Sequence, residues 1–370
     1  MKQHKKTLKV ATAIVLTVAM LGTLAGCGGG GGDAAKDSGK ADGAKTIEGG
    51  FLGQIDAWPA YMAVNSDVAK QYGINMKMQF FDSGMPMIQT VPANQLAVMD
   101  VGSVPSLMAA LRYDTPIIGI ASDESPANAI VVREDNPALK HKGTNPQFPD
   151  MMGSAEDVKG KTILCTTVSS GHYTLSKYLE ALGLSESDVT VKNLEQSQAI
   201  KAFETGEGDY LVLWTPYLYR AFEKGWKEVA NGTTCGASAL MLWLADPKMA
   251  KEDPETIAKV LAMNNVGVEK YQSDGEKLVP DIQSFFTDFA AMEVSEKDAK
   301  LDIKTHKFFT LDEQIEYIDS GKLKTSLEDA ANFFVAQKKF TEDELKQLKD
   351  KDFCIDGSFL KKAKEIKPAK

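Results

Sequence analysis

Polar and aromatic side chains that could bind a small ligand are concentrated where predicted strands end. They are Gln54, Asp56, Trp58, Ser83, Gly84, Ser103, Ser122, Asp123, Ser169, Ser170, His172, Trp214 and Thr215, with Tyr217 close behind. In open parallel sheets, ligands lie outside the carboxyl ends of the strands. We therefore predict that these residues form a ligand-binding site.

Predicted helices begin directly after several of these strand ends, at Ser83, Ser103 and the Ser169-Ser170 pair. A helix N-terminus presents free backbone N–H groups and a partial positive charge. These segments could therefore hold a carboxylate, sulfonate or nitro-type oxygen. The alternative is that the serines only cap their helices, because serine is preferred at that position with or without a ligand.

Aromatic residues could supply the walls of such a site. Trp58, Trp214 and Tyr217 are candidates, although Trp58 and Trp214 fit core packing equally well. Trp243 lies on an apolar strand and is better explained as core. His172 is the one histidine beside the predicted site, where a lone loop histidine is more often a surface or capping residue.

The charged residues near the site are acids. Asp56, Asp123 and Glu124 fall in the predicted loops, whereas the three arginines, Arg112, Arg133 and Arg220, do not. Anion pockets often use arginine for bidentate contacts, while acids and aromatic rings suit an ammonium group or a heteroaromatic ring. This pattern favours a zwitterionic, cationic or pyrimidine-like ligand.

Motifs for catalysis or metal binding are missing from the sequence. It contains no Gly-x-Ser-x-Gly elbow, no His-Glu-x-x-His zinc motif and no Cys-x-x-Cys pair. Besides Cys27, the cysteines are Cys165, Cys235 and Cys354, which fit one disulfide plus a free thiol or three buried thiols. We therefore predict a binding protein that is not an enzyme and has no metal or cofactor.

Strand and helix patterns alternate from residue 46 onward, which is typical of α/β proteins with parallel sheets. Strands are predicted at 47–54, 74–81, 96–101, 116–121, 130–132, 161–166, 189–193, 210–214 and 239–244. Helices are predicted around 64–72, 104–112, 175–182, 199–206, 254–271, 280–289, 311–318, 327–337 and 342–348. Strict alternation of apolar and polar residues marks the strand at 74–81 as an edge strand.

The 325 or so residues beyond residue 46 are too many for one typical core. We predict two lobes, the first formed by residues 46–123 and 240–370 and the second by residues 124–239. The connections near 124–128 and 236–239 would then act as hinges.

The N-terminus has the layout of a secretory signal peptide, with a basic start and an apolar run from about residue 10 to 24. Leu24-Ala25-Gly26-Cys27 resembles a bacterial lipobox, which implies removal of residues 1–26 and attachment of diacylglycerol to Cys27. Residues 27–45, which include five consecutive glycines, are predicted to be a flexible tether. Removal of the leader would change the formal net charge from −9 to −13, which argues against nucleic acid as a partner.

Several short segments, in this order, resemble solute-binding proteins of ABC importers that bind taurine, aliphatic sulfonates, nitrate or thiamine-type pyrimidines. They are residues 53–61, Phe81-Asp82-Ser83-Gly84, Asp100-Val101-Gly102-Ser103, residues 157–161, Ser169-Ser170-Gly171-His172 and residues 208–216. The chain departs from the family pattern at Asn94-Gln95, where a glycine is usual. The resemblance implies an α/β type II periplasmic binding protein fold, with a mostly parallel sheet flanked by helices in each lobe and a ligand cleft between them. It also places His172 at the cleft.

We therefore expect a monomeric substrate-binding lipoprotein that is held on the outer face of the cell membrane through Cys27. Its partners would be a small polar organic molecule and an ABC permease. Two alternatives remain open. One is an enzyme on the same fold, related to thiamine-pyrimidine synthesis, although the cysteine-rich iron motif of those enzymes is missing here. The other is a surface adhesin or receptor.

Overall fold

The computed structural model describes residues 43–369, which form two β-sheets surrounded by helices. The strands are β1 (Lys45–Leu52), β2 (Ile74–Phe81), β3 (Val98–Gly102), β4 (Ile117–Asp123), β5 (Asn128–Val132), β6 (Thr162–Cys165), β7 (Thr190–Asn193), β8 (Tyr210–Trp214), β9 (Lys227–Asn231), β10 (Leu240–Ala245) and β11 (Lys307–Phe308). The signal peptide, Cys27 and nearly all of the predicted tether lie outside the described residues. Lys45, the last residue of that tether, already belongs to β1.

The first sheet has the strand order β11-β4-β10-β3-β1-β2, and the second has the order β7-β6-β8-β5-β9. The chain passes from the first sheet to the second through residues 124–127 and returns through residues 232–239. The strand β2 lies at the end of the first sheet, which confirms the edge position predicted from its alternating pattern.

Both sheets are mixed, whereas the sequence predicted mostly parallel ones. The pairs β1–β2, β1–β3, β6–β7 and β6–β8 are parallel, and the remaining pairs are antiparallel. The reason lies in the two connections between the sheets. A strand that enters from the other sheet starts at the edge where its neighbours end, so β5 runs against β8 and β10 runs against β3 and β4.

Helices cover the sheets and make up much of the C-terminal third. They are α1 (Trp58–Val64), α2 (Val68–Gln71), α3 (Gly84–Ile88), α4 (Ser103–Tyr113), α5 (Ala155–Val158), α6 (Ser170–Ala181), α7 (Gln196–Glu204), α8 (Tyr217–Glu223), α9 (Gly232–Cys235), α10 (Pro247–Glu252), α11 (Pro254–Asp274), α12 (Val279–Asp288), α13 (Glu296–Thr305), α14 (Leu311–Asp319), α15 (Lys322–Ala336), α16 (Glu342–Asp350) and α17 (Ser358–Glu365). Among the described residues, none of these helices is long and apolar enough to cross a membrane.

Close packing joins α1 to α11. A Cβ atom added at Gly267 would lie 2.6 Å from the backbone of Pro59, so only glycine lets the two helices approach this closely.

The departure from the family pattern at Asn94 has a local explanation. Asn94 adopts a left-handed conformation with φ 50°, which asparagine tolerates better than most residues, so it takes the place of glycine in this turn.

Helix α15 packs against α4 beside the first sheet and α6 beside the second. It lies on α4, and its Phe333 and Phe334 rings approach Tyr173 and His172 of α6 at centroid distances of 5.5 Å and 6.2 Å.

Of the cysteines in the described part of the chain, Cys165 and Cys235 are buried free thiols and Cys354 is a half-buried one. No disulfide joins these three cysteines, so all three are free thiols, in place of the disulfide with one free thiol that the sequence also allowed.

Candidate functional site

A narrow cavity of about 20 Å³, room for about one water molecule, is lined by residues of both sheets. The lining residues are Leu52, Gln54, Gly84, Gly102, Pro105, Glu124, Asn128, Ser169, Ser170, Trp214 and Met241. The strand directions explain this meeting point. The strands β3 and β8 end here at Gly102 and Trp214, and the oppositely directed β5 and β10 begin here.

Three helices start at or beside the cavity. Helices α3 and α6 begin at the lining residues Gly84 and Ser170, and α4 begins at Ser103, directly after the lining residue Gly102. The first backbone N–H groups of a helix have no partner within the helix. These helix starts can therefore offer hydrogen-bond donors to polar or anionic oxygens of a ligand.

The predicted serines have different roles. Ser169 is a true cap of α6, because its Oγ accepts a hydrogen bond from the His172 amide at 3.1 Å. Ser83 makes no capping bond; its Oγ donates instead to Glu195 Oε1 at 3.4 Å. The Oγ of Ser103 is buried and has no hydrogen-bond partner in the part of the chain that the structure describes. The capping explanation therefore accounts for Ser169 alone.

The two sides of the cavity touch at Gly102. A Cβ atom added there would lie 2.5 Å from the Ser170 side-chain oxygen, which is shorter than any real contact of a Cβ atom. A methyl group there would force the Ser170 hydroxyl to rotate away, which shows how closely the end of β3 approaches the start of α6.

Buried carboxyl groups with no cation beside them lie at and behind the cavity wall. Glu124 lines the cavity, and Asp56 and Asp100 are as fully buried as it is. Burial, together with the Asp56 charge, raises the pKa of Glu124 to about 8. Burial likewise raises the pKa of Asp100 to about 8, and burial and the Asp100 charge raise the pKa of Asp56 well above its usual range.

A fourth buried acid, Asp302, connects α13 to α8. Its Oδ1 accepts a hydrogen bond from Tyr219 Oη at 2.6 Å and lies 3.4 Å from His306 Nδ1. Burial raises the pKa of Asp302 to about 7 and lowers that of His306 to about 4. Thr215, a predicted site residue, has its Oγ1 3.5 Å from His306 Nε2 and therefore belongs to this group.

Side-chain hydrogen bonds also link the loop after β2 to the second sheet. Asp82 accepts from Tyr217 Oη at 3.0 Å and from Ser197 Oγ at 3.4 Å. The predicted site residue Tyr217 thus contacts the opposite side of the molecule and does not line the cavity. Together with the Ser83 contact described above, these bonds hold the two sides together.

Other predicted site residues lie away from the cavity lining. Trp58 is buried in the core, 6.1 Å from the Tyr271 ring. Ser122 is buried with its Oγ unpartnered, and Asp123 accepts hydrogen bonds from the backbone and side chain of Ser125. None of these three side chains lines the cavity.

His172 is fully buried on α6. Its Nδ1 accepts from the Val168 amide at 3.2 Å, and its Nε2 lies 2.7 Å from Glu186 Oε1 without making a hydrogen bond within the described residues. Protein groups therefore lie at both edges of the ring, which does not line the cavity.

The sequence pattern does not predict Asp100 or Asn128 as site residues, and it predicts Glu124 only as an acid in a loop near the site. Asp100 has a signal in the sequence, because a charged residue stands in an otherwise apolar strand that is buried throughout. Asn128 has none, because it begins its strand, whereas the predicted site is formed by residues at strand ends. Within residues 43–369, no group of three or more His, Cys, Asp or Glu side chains is arranged to hold a metal ion.

The mixed sheets, the two crossings and the cavity between the strand ends define a two-lobed α/β protein with the periplasmic binding protein fold. The chain belongs to the NMT1-like family, whose model matches residues 40–282.

Two curated relatives span nearly the whole chain. One is a Brachyspira hyodysenteriae protein whose name, ABC transporter periplasmic binding protein, was assigned by inference. It is 25% identical over 97% of this chain and 99% of its own length. A Bacillus subtilis protein named in the same way for binding aliphatic sulfonates is 27% identical over 95% of this chain and 96% of its own. The crystal structure of the periplasmic aliphatic sulphonate binding protein of Escherichia coli superimposes with a TM-score of 0.62 at 18% identity, covering 82% of this chain and 91% of that one.

Proposed function

We propose that this protein is the substrate-binding lipoprotein of an ABC importer and that it captures a small polar organic molecule between its lobes, at a cavity that must widen from about 20 Å³ as the lobes open. The observation that carries the proposal is the meeting of strand ends and helix starts from both sheets at one cavity. Sulfonates are the first ligand class to test, because one relative and one structural neighbour are named for binding them.

The lobes in this proposal are residues 46–123 with 240–370, and residues 124–239, as predicted from the sequence. Segments within the two connections, near 124–128 and 236–239, would act as hinges. Ligand contacts from both lobes would favour the closed arrangement, which bonds such as Asp82 to Tyr217 also support. A substrate-binding protein of this kind exposes its ligand to the permease when it opens.

The proposal includes the membrane anchor at Cys27. A thiol that carries a two-chain lipid is a durable attachment, whereas one acyl chain binds a membrane only marginally. The tether would keep the binding domain close to its permease and raise its effective concentration there. Mass spectrometry of the membrane fraction should detect the lipid on Cys27, and Cys27→Ser should release the protein from the membrane.

The test of ligand capture is a thermal-shift screen of sulfonates, nitrate, pyrimidines, amino acids and amines, followed by solution scattering. At least one compound should raise the melting temperature, and the same compound should make the particle more compact. A screen in which no compound does both would reject the proposal. Product formation from a bound compound would instead support an enzyme.

A further inference from the structure

Three side-chain oxygens on the cavity wall accept no hydrogen bond from any residue between 43 and 369. They are Gln54 Oε1, Glu124 Oε2 and Asn128 Oδ1, and each belongs to a residue that is at most 2% exposed. The orientation of Asn128 is set by its Nδ2, which donates to the Glu124 backbone oxygen at 3.2 Å and leaves Oδ1 free. An ionised Glu124 carboxylate only accepts hydrogen bonds, so a ligand that supplies donors would satisfy all three oxygens and favour loss of the Glu124 proton.

Charge at this wall is also unbalanced. No lysine or arginine pairs with Asp56, Asp100 or Glu124 among residues 43–369. The arginines are engaged elsewhere: Arg133 donates to the backbone oxygens of residues 203, 207 and 208, and Arg112 and Arg220 are exposed. The wall therefore offers acceptors and acids but no side-chain cation for an anionic group.

We propose that this wall binds a protonated primary amine of the ligand, which donates hydrogen bonds to Gln54, Glu124 and Asn128. An ammonium group has three donors and no acceptor, which matches three unpartnered oxygens. Leu52 and Met241 would contact the carbon chain of the ligand. The inference rests on the proposed function, since it names the chemical class of the ligand in the same cavity.

An organic ammonium fits the site better than a metal ion does, because the described acids are not arranged as a metal-binding group. The remainder of the ligand would face the start of α6 at Ser170, whose backbone donors suit an anionic group. The proposed ligand is therefore a small amine, with or without an acidic group at its other end.

The amine and the buried acids would titrate together. The titratable groups around Glu124 are Asp56, Asp100 and Asp123, and Asp302 and His306 lie beyond them. Because the pKa of Glu124 in the empty cavity is about 8, much of this carboxyl is protonated at neutral pH. Binding of an ammonium favours the ionised carboxylate, so it should release protons, whereas binding of a simple anion should not.

The experiment compares three probes by calorimetry with the full-length chain in detergent: 3-aminopropanesulfonate, 1-propanesulfonate and propylammonium. We expect 3-aminopropanesulfonate to bind at least tenfold more tightly than 1-propanesulfonate, and this preference should increase between pH 6 and pH 8. Equal or tighter binding of 1-propanesulfonate would overturn the inference and leave the proposed function intact. Failure of these probes and of the whole screen described above would overturn both.

Variants of the cavity wall test whether the preference for the amine depends on the residues named above. Glu124→Gln should reduce the preference for the amine at least tenfold while retaining binding of 1-propanesulfonate. Gln54→Met, which removes one acceptor and no charge, should reduce it less and serves if the first variant does not fold. The control is Glu228→Gln, a half-buried acid on β9 that accepts from Asn231 Nδ2 at 2.7 Å and does not line the cavity; it should keep the wild-type preference. Unchanged preference in both cavity variants would refute the assignment.

Discussion

Replacement of Glu124 by glutamine should stabilise the empty protein, and the gain should grow with pH. The pKa of the Glu124 carboxyl is about 8 in the folded protein, raised chiefly by burial, against its usual 4.5. Between these values the folded chain holds a proton that the unfolded chain releases, so stability contributed by this group is complete below pH 4.5 and is lost as pH rises towards 8. Each pH unit in this window costs about 1.4 kcal/mol. Because the slope flattens near each pKa, the loss between pH 5 and pH 8 is about 3–4 kcal/mol from this group alone.

Glutamine has the shape of glutamic acid and cannot ionise, so Glu124→Gln should match the wild type at pH 5 and exceed it by about 3–4 kcal/mol at pH 8. Urea denaturation at pH 5, 6, 7 and 8, without ligand, measures the difference. Glu223→Gln is the matched control, because Glu223 is exposed at the end of α8. Parallel curves for wild type and Glu124→Gln across this range would refute the reasoning, since they would mean that Glu124 titrates alike in the folded and unfolded chains.

Other predictions concern packing and capping. Tyr219→Phe removes the 2.6 Å hydrogen bond to Asp302 and should cost about 1–3 kcal/mol in urea denaturation, since a buried carboxyl loses its donor. Gly267→Ala should lower the melting temperature, at a cost of about 1–3 kcal/mol, because the new Cβ would lie 2.6 Å from the Pro59 backbone; a neutral result would show that α1 and α11 can separate freely. Ser169→Ala should cost about 1 kcal/mol by removing the cap of α6, and a cost close to zero would mean that water replaces the hydroxyl.

Local patterns in the sequence were sufficient to predict most individual elements. The strands Ile74–Phe81 and Tyr210–Trp214 have the predicted bounds, because their side-chain alternation or continuous apolar run is unambiguous. The strand β9, with the sequence Lys-Glu-Val-Ala-Asn, was not predicted, and neither was α13, whose exposed positions are mostly charged. In both, pairing or packing with distant parts of the chain determines the structure, and a local pattern does not contain that information.

Strand direction was harder to predict than strand position. The sequence indicated where β5 and β10 lie, but an apolar run has the same pattern in either direction. The position of the cavity followed from the strand ends, and Gln54, Gly84 and Trp214 line it. Asn128 could not be found in that way, because its strand begins at the cavity and does not end there.

The helix starts and the buried acids make opposite demands on a ligand. Backbone N–H groups near Gly84 and Ser170 favour negative oxygens, whereas unpartnered oxygens at Glu124 and Asn128 favour hydrogen-bond donors. A neutral Glu124 carboxyl repels an anion less than an ionised one does, so an anion-only ligand should bind more tightly as the pH falls below about 8. An amine, by contrast, should bind more tightly as the pH rises towards 8. A ligand with both groups would satisfy the helix starts and the unpartnered oxygens at once. Its affinity should fall with rising pH if its anionic group contributes more to binding, and should rise if its amine contributes more.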